Sequence, residues 1–231
     1  EEKDILLVQH MIENLFFVKK IVRMKLDLSL YQLLQNHPCE HLANVIDFSC
    51  SYEKTILIEE FVNGCTLEYK LSQRKLCIEE LIGILLQLFA VVEHLHALTP
   101  PVIHRDIKPD NILIDKGYVV LIDFEIAKLM TTRKDILRTG SVGYAAPEQY
   151  YGLSDEQSDI YSMGILLKEL CYCTAWQNVE QFVFQDIIRR STVRQQEKRY
   201  LKVSQMRNDF LIECYKCKTL AKYAESIPTK R

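Results

Sequence analysis

Between Val102 and Glu125 the chain reads VIHRDIKPDNILIDKGYVVLIDFE, crowding His104, Arg105, Asp106, Lys108, Asn111 and Asp123 into one short segment. The apolar runs within it read as strands and the polar clusters between them as loops. Charged groups gathered at strand ends point to a phosphate and metal site, and the rest of the chain has to be arranged to hold it.

Two further features give the segment a likeness. HRDIKPDN (His104 to Asn111), followed by Asp123-Phe124, resembles the catalytic and metal loops of the eukaryotic-type protein kinases. GSVGYAAPEQ (Gly140 to Gln149) resembles the end of the same family's activation segment. The resemblance runs over nearly the whole chain to Val203, and its closest flavour is that of bacterial members. It implies an α+β, two-lobed protein-kinase-like fold: an incomplete small β lobe over 1–62 and a large helical lobe over 63–231. Moving a γ-phosphoryl group is mainly positioning and charge neutralisation. By resemblance Asp106 orients the substrate hydroxyl, Lys108 steadies the γ-phosphate, Asn111 and Asp123 hold Mg²⁺, and His104 and Phe124 are packed supports. The implied activity is transfer from ATP to Ser or Thr on protein substrates, since Lys108 together with GSVGYAAPE is the serine/threonine spelling.

Taken in order, residues 1–22 carry two apolar runs around Glu13-Asn14, a hairpin pattern. In the resemblance these are the second and third small-lobe strands, the third ending in the phosphate-binding lysine. Lys19 and Lys20 both qualify: strand alternation puts Val18 on the face of Lys20, whereas the family spelling favours Lys19, which is preferred here. Leu26 to Gln35 has helical spacing and ends before Pro38. The family's helix glutamate has no counterpart there, because the register offers Leu28, Ser29 or Leu30. Thr55 to Phe61 reads as a strand entering the hinge, where backbone groups of Glu60 and Val62 would bond adenine. Glu59 stands at the back of that pocket as an acid that needs a partner. Thr66 to Arg74, Glu79 to Ala97 and Ser158 to Leu170 read as helices. In the last, Asp159 is expected to cap the N-terminus and bond the catalytic-loop backbone. Residues 126–140 are the expected activation loop, with Thr131, Thr132, Thr139 and Ser141 as candidate phosphorylation sites and Arg105 as the receiving cation. The resemblance also brings Glu148 and Arg199 together as an ion pair beneath the activation segment.

Composition narrows the partners. With 29 basic and 31 acidic residues, a net charge of −2 gives no field that draws nucleic acid or a membrane surface. The longest apolar run, Leu81 to Val92, is broken by Gln87 and falls short of the roughly 20 residues a membrane span requires. No span is expected within this chain, and an anchor beyond either end stays open. Eight cysteines in a chain this large read as reduced thiols of a cytoplasmic protein. Cys171-x-Cys173 and Cys214-x-x-Cys217 lie in helix-like surroundings without the turns of a zinc knuckle. The sequence implies no particular oligomeric state.

Three departures keep a second reading in play, a pseudokinase acting as a binding or scaffolding module. The glycine-rich loop expected before the first hairpin is not within this chain, either cut away or lost, and alignment puts its last glycine near Lys3. The helix glutamate is missing. Glu125 replaces the glycine after Asp123-Phe124, where a left-handed backbone would be strained for Glu. A small-molecule phosphotransferase is a third reading, against which GSVGYAAPEQ argues.

Overall fold

The computed structural model describes residues 3–130, 140–176 and 182–224. Strands β1 (Lys3–Gln9) and β2 (Phe16–Val22) form the expected hairpin, with Asn14 in the left-handed region at φ 57°. Helix α1 (Leu28–Asn36) follows, then β3 (Val45–Cys50) and β4 (Thr55–Glu60). The four strands make one antiparallel sheet in the order β1-β2-β4-β3. Its register sets Val18 opposite Glu59 and Lys20 opposite Leu57. Asp27 starts α1 by accepting from the Ser29 amide at 3.0 Å, and the helix buries Leu30, Tyr31 and Leu34 at helical spacing.

The large lobe begins with β5 (Cys65–Thr66) and α2 (Leu67–Gln73), then α3 (Ile78–Ala97), whose broad apolar face is enclosed on all sides. Next come β6 (Val102–Ile103), β7 (Ile112–Asp115), β8 (Tyr118–Leu121) and β9 (Lys128–Leu129). They pair as β5-β7-β8 and β6-β9. Gln87, the polar break in α3, is fully buried and fully used. Its carbonyl accepts from the Val119 amide at 2.8 Å, and its amide donates to the Gly83 and Gly117 carbonyls. It clips the β7–β8 turn to the central helix.

Helices α4 (Glu156–Tyr172), α5 (Gln185–Ser191), α6 (Val203–Lys216) and α7 (Lys218–Ala224) close the lobe. Phe184 stacks on Phe210 at 4.5 Å, and Phe210 meets Phe89 of α3 at 5.5 Å. Helix α4 starts two residues before the expected Ser158, and its cap is Asp155, which accepts from the Gln157 amide at 2.8 Å. Asp159 therefore sits inside the first turn and does not cap the helix. No helix among the described residues is long and apolar enough to cross a membrane.

Backbone runs close to backbone at two places near the junction of the lobes. One is the segment after β4, where Gly64 passes so close to Ile114 that a Cβ would lie 2.7 Å from its carbonyl oxygen. The other is the chain between α1 and β3, which drops onto β8. The Leu121 amide donates to His41 O at 2.9 Å, and the Ala43 amide to Leu121 O at 3.4 Å.

Candidate active site

The loop after β6 is anchored from below by Asp159. This buried carboxylate accepts from the His104 amide at 2.9 Å, the Arg105 amide at 2.8 Å and His96 Nε2 at 2.8 Å. Burial alone would push its pKa up, but these donors and the nearby histidines hold it below the ordinary carboxylate value. The backbone contacts expected of Asp159 are present although its capping is not. They hold Arg105 in the left-handed region at φ 71°, with Gln149 Nε2 donating to the Arg105 carbonyl at 2.9 Å. A strained conformation of this kind persists only where its surroundings over-determine it.

His104 is buried, its ring 4.7 Å from Phe124 and its Nε2 3.2 Å from Ile122 O. Burial pushes its pKa below the ordinary value, so it is a neutral packing group.

Asp106 is the centre of a polar cluster. Its carboxylate takes Lys108 Nζ at 3.0 Å, Asn111 Nδ2 at 2.8 Å and the Ser141 amide at 3.2 Å. Lys108 Nζ also donates to Ser141 Oγ at 2.5 Å. Ser141 therefore closes the cluster. Thr131, Thr132 and Thr139 lie outside the described residues. What sequence reasoning missed is this second role of Ser141, for which the only signal was its place directly after Gly140.

Asp123 lies two residues beyond β8 and faces the small lobe. Lys3 Nζ stands 3.0 Å from its Oδ2 and Lys20 Nζ 3.9 Å from its Oδ1. Burial works to raise the pKa of Asp123, but Lys20 and Lys3 outweigh it and hold the carboxyl below its ordinary range. Glu125 also takes Lys3, at 3.0 Å, yet burial and the charge of Asp123 push its own pKa up. The left-handed backbone expected at Glu125 falls instead on Asp123, at φ 69°. Glu125 is thus held by an ion pair and carries no backbone strain of that type. Lys3, the position aligned with the last loop glycine, was not foreseen as a partner of either acid.

Lys19 and Lys20 point to opposite faces of β2. Lys20 is buried and pairs with Glu59 Oε2 at 2.8 Å, whereas Lys19 lies on the opposite face, half-buried. A residue's side of the sheet is set by the pleat, so Lys20 shares its side with Glu59 and Asp123 and Lys19 does not. Glu59 finds in Lys20 the partner it needed. At the hinge, the Glu60 amide donates to Asn44 O at 2.9 Å and the Glu60 carboxylate takes Asn44 Nδ2 at 2.7 Å. The Val62 carbonyl accepts from the Gly64 amide at 2.9 Å.

For a divalent cation the oxygen donors are Asp123 and Asn111. Asp123 Oδ1 is buried with no hydrogen-bond partner, and the Asn111 amide nitrogen is used on Asp106, which turns its oxygen the other way. A hard cation such as Mg²⁺, which takes few protein oxygens and completes its shell with phosphate and water, fits that set. No group of three or more His, Cys, Asp or Glu among the described residues could hold a metal, the four paired-motif cysteines included.

The Asp155–Glu156 end of α4 and the Glu148 turn complete the support beneath the site. Glu148 and Arg199 form the expected pair, with Nη1–Oε1 at 2.6 Å and Nη2–Oε2 at 2.9 Å.

A protein kinase domain family model matches residues 12–222. Among curated proteins the chain is similar to a probable serine/threonine-protein kinase, WNK6, of Oryza sativa subsp. japonica: 32% identical over 158 residues, 67% of this chain and 36% of that protein. It is also similar to the serine/threonine-protein kinase PrkC of Bacillus subtilis (strain 168), 37% identical over 142 residues, 58% of this chain and 21% of that protein. A third is the LRR receptor-like serine/threonine-protein kinase GSO2 of Arabidopsis thaliana, 36% identical over 148 residues, 56% of this chain and 12% of that protein. The chain spans well under half the length of these relatives. Their names lend no support to the binding-module reading.

Proposed function

The chain belongs to the protein kinase domain family, and on that premise we propose that it transfers the γ-phosphoryl group of ATP to serine or threonine hydroxyls of protein substrates. The observation that carries this reading is the joining of Asp106, Lys108, Asn111 and Ser141 into one cluster. A carboxylate held by an amide, an ammonium and a backbone N–H is preorganised to accept from an incoming hydroxyl and to orient it in line with the phosphorus. Lys108, bridging Asp106 and Ser141, offsets the negative charge on the transferred group.

Lys20 takes the α- and β-phosphates, and the Glu60 carbonyl and Val62 amide take the adenine edge. Asn111 and Asp123 would hold Mg²⁺, which when bound neutralises charge on the β- and γ-phosphates. Lys3 stands beside Asp123 as a second cation of the cleft. The eight cysteines, none of them in a disulfide, suit a reducing compartment such as the cytoplasm.

Incorporation of labelled γ-phosphate into the protein itself and into a generic protein substrate tests the reading. Asp106→Asn is expected to lower turnover by about 10²–10⁴-fold, the usual worth of a positioned base, with nucleotide affinity near that of the parent. Equal turnover in the two proteins would defeat it.

A further inference from the structure

In protein kinases the phosphate-binding lysine is ordinarily paired with a glutamate on the cleft-facing helix, so the position of that helix decides whether the lysine is in place. Helix α1 brings no such acid. Its first turn contains none, Asp27 is engaged as the cap, and the residues it buries are Leu30, Tyr31 and Leu34. The carboxylate on Lys20 comes from β4 instead: Glu59 Oε2 lies 2.8 Å from Lys20 Nζ, and both side chains are 6% exposed.

Strands β2 and β4 are hydrogen-bonded neighbours, with Val18 opposite Glu59 and Lys20 opposite Leu57. Glu59 and Lys20 are therefore diagonal partners on one face of one sheet, a separation that long side chains cross readily. Tyr31 completes the environment from the helix side. It is 1% exposed, its hydroxyl has no hydrogen-bond partner, and burial and then the charges of Glu59, Glu125 and Asp123 push its pKa up. The helix thus presents a neutral phenol to the carboxylates and no rival charge to Lys20.

We propose that Glu59 is the positioning residue for Lys20 in phosphoryl transfer, and that because both stand on the same sheet, Lys20 is held for the nucleotide independently of where α1 sits. The proposal rests on the kinase reading above. Its consequence is that a signal acting by swinging α1 has no lever on this lysine.

The test uses the full chain as parent, Glu59→Gln, Glu59→Asp and Gln32→Gly, with initial rates over a range of ATP, nucleotide affinity, melting temperature and amide exchange of α1. Gln32 is exposed on α1 and outside the site. Glu59→Gln is expected to lower kcat/KM for ATP about 10–100-fold, the worth of a charged hydrogen bond, and Glu59→Asp, which keeps the charge, to recover part of that loss. Gln32→Gly is expected to raise exchange of α1 roughly fivefold while kcat/KM stays within about twofold of the parent. Parent kinetics in Glu59→Gln, or an aspartate variant no better than the glutamine one, would overturn the proposal. So would a fall of kcat/KM in Gln32→Gly in step with its exchange. If Glu59→Gln does not fold, the Gln32→Gly comparison decides. A parent without phosphoryl transfer defeats the kinase reading instead, and the pairing is then judged by the same comparisons of nucleotide affinity.

Discussion

Arg199→Ala is the perturbation for which the structure supplies the fullest reckoning. The Arg199 side chain is 0% exposed and that of Glu148 is 10% exposed. The guanidinium makes two parallel bonds to Glu148 at 2.6 and 2.9 Å, and donates from Nε to Val193 O at 2.8 Å. It also reaches Gln157 O and Arg194 O, each at 3.2 Å, and lies 4.8 Å over the Tyr161 ring. Truncation leaves the Glu148 carboxylate with Ser158 Oγ, at 3.0 Å, as its one remaining side-chain donor among the described residues, and removes donors from three carbonyls. Breaking one side of a buried pair costs about 3–5 kcal/mol, a large part of the roughly 5–15 kcal/mol that holds a domain together. For a chain of this size each kcal/mol moves the melting temperature by about 2–4 °C, so a drop of about 6–20 °C is expected. Calorimetry or thermal circular dichroism reads it. The double variant Arg199→Met, Glu148→Leu should recover most of the loss, because an apolar pair leaves no charge stranded. A single variant melting within about 2 °C of the parent would refute the reasoning, since that is the behaviour of a solvated surface arginine.

Lys20→Met is expected to weaken nucleotide binding about 10–100-fold and Lys19→Met to leave it near the parent, as read by isothermal titration; the reverse order would return the role to Lys19. Asp123→Ala should abolish the gain in ATP affinity that Mg²⁺ confers and leave Mg²⁺-free binding little changed, and a parent that binds ATP equally with and without Mg²⁺ would contradict this. Burial lowers the pKa of His104 in the folded chain, while the unfolded chain protonates it near 6.5, so its contribution to stability is complete above about pH 6.5 and is lost as pH falls below that value. The melting temperature should therefore decline between pH 7 and 5.5, and less steeply in His104→Asn; parallel profiles would show that another group is responsible.

The hairpin and the helices were legible because each follows from local rules, alternation for Phe16–Val22 and helical spacing for Ile78–Ala97, whereas the Glu148–Arg199 pair, 51 positions apart, was legible only through the family resemblance. That Lys19 and Lys20 face opposite ways was legible in the alternation of their strand. The partners of the acids were not legible, because they depend on tertiary register. Lys3 reaches Asp123 and Glu125 across more than a hundred positions, and Lys20 finds Glu59 only once β2 lies beside β4. The cap of α4 was misplaced by a different competition. Asp155 and Asp159 are both good caps by type, and the fold commits Asp159 to two backbone amides of the catalytic loop.

The contacts between the lobes differ in kind. His41 and Ala43 are seated on Leu121 through backbone hydrogen bonds, whereas Lys3 reaches Asp123 and Glu125 through ion pairs that are partly exposed. Salt screens partly exposed charges and leaves backbone hydrogen bonds nearly untouched, so ionic strength bears on the charged contact far more than on the backbone one.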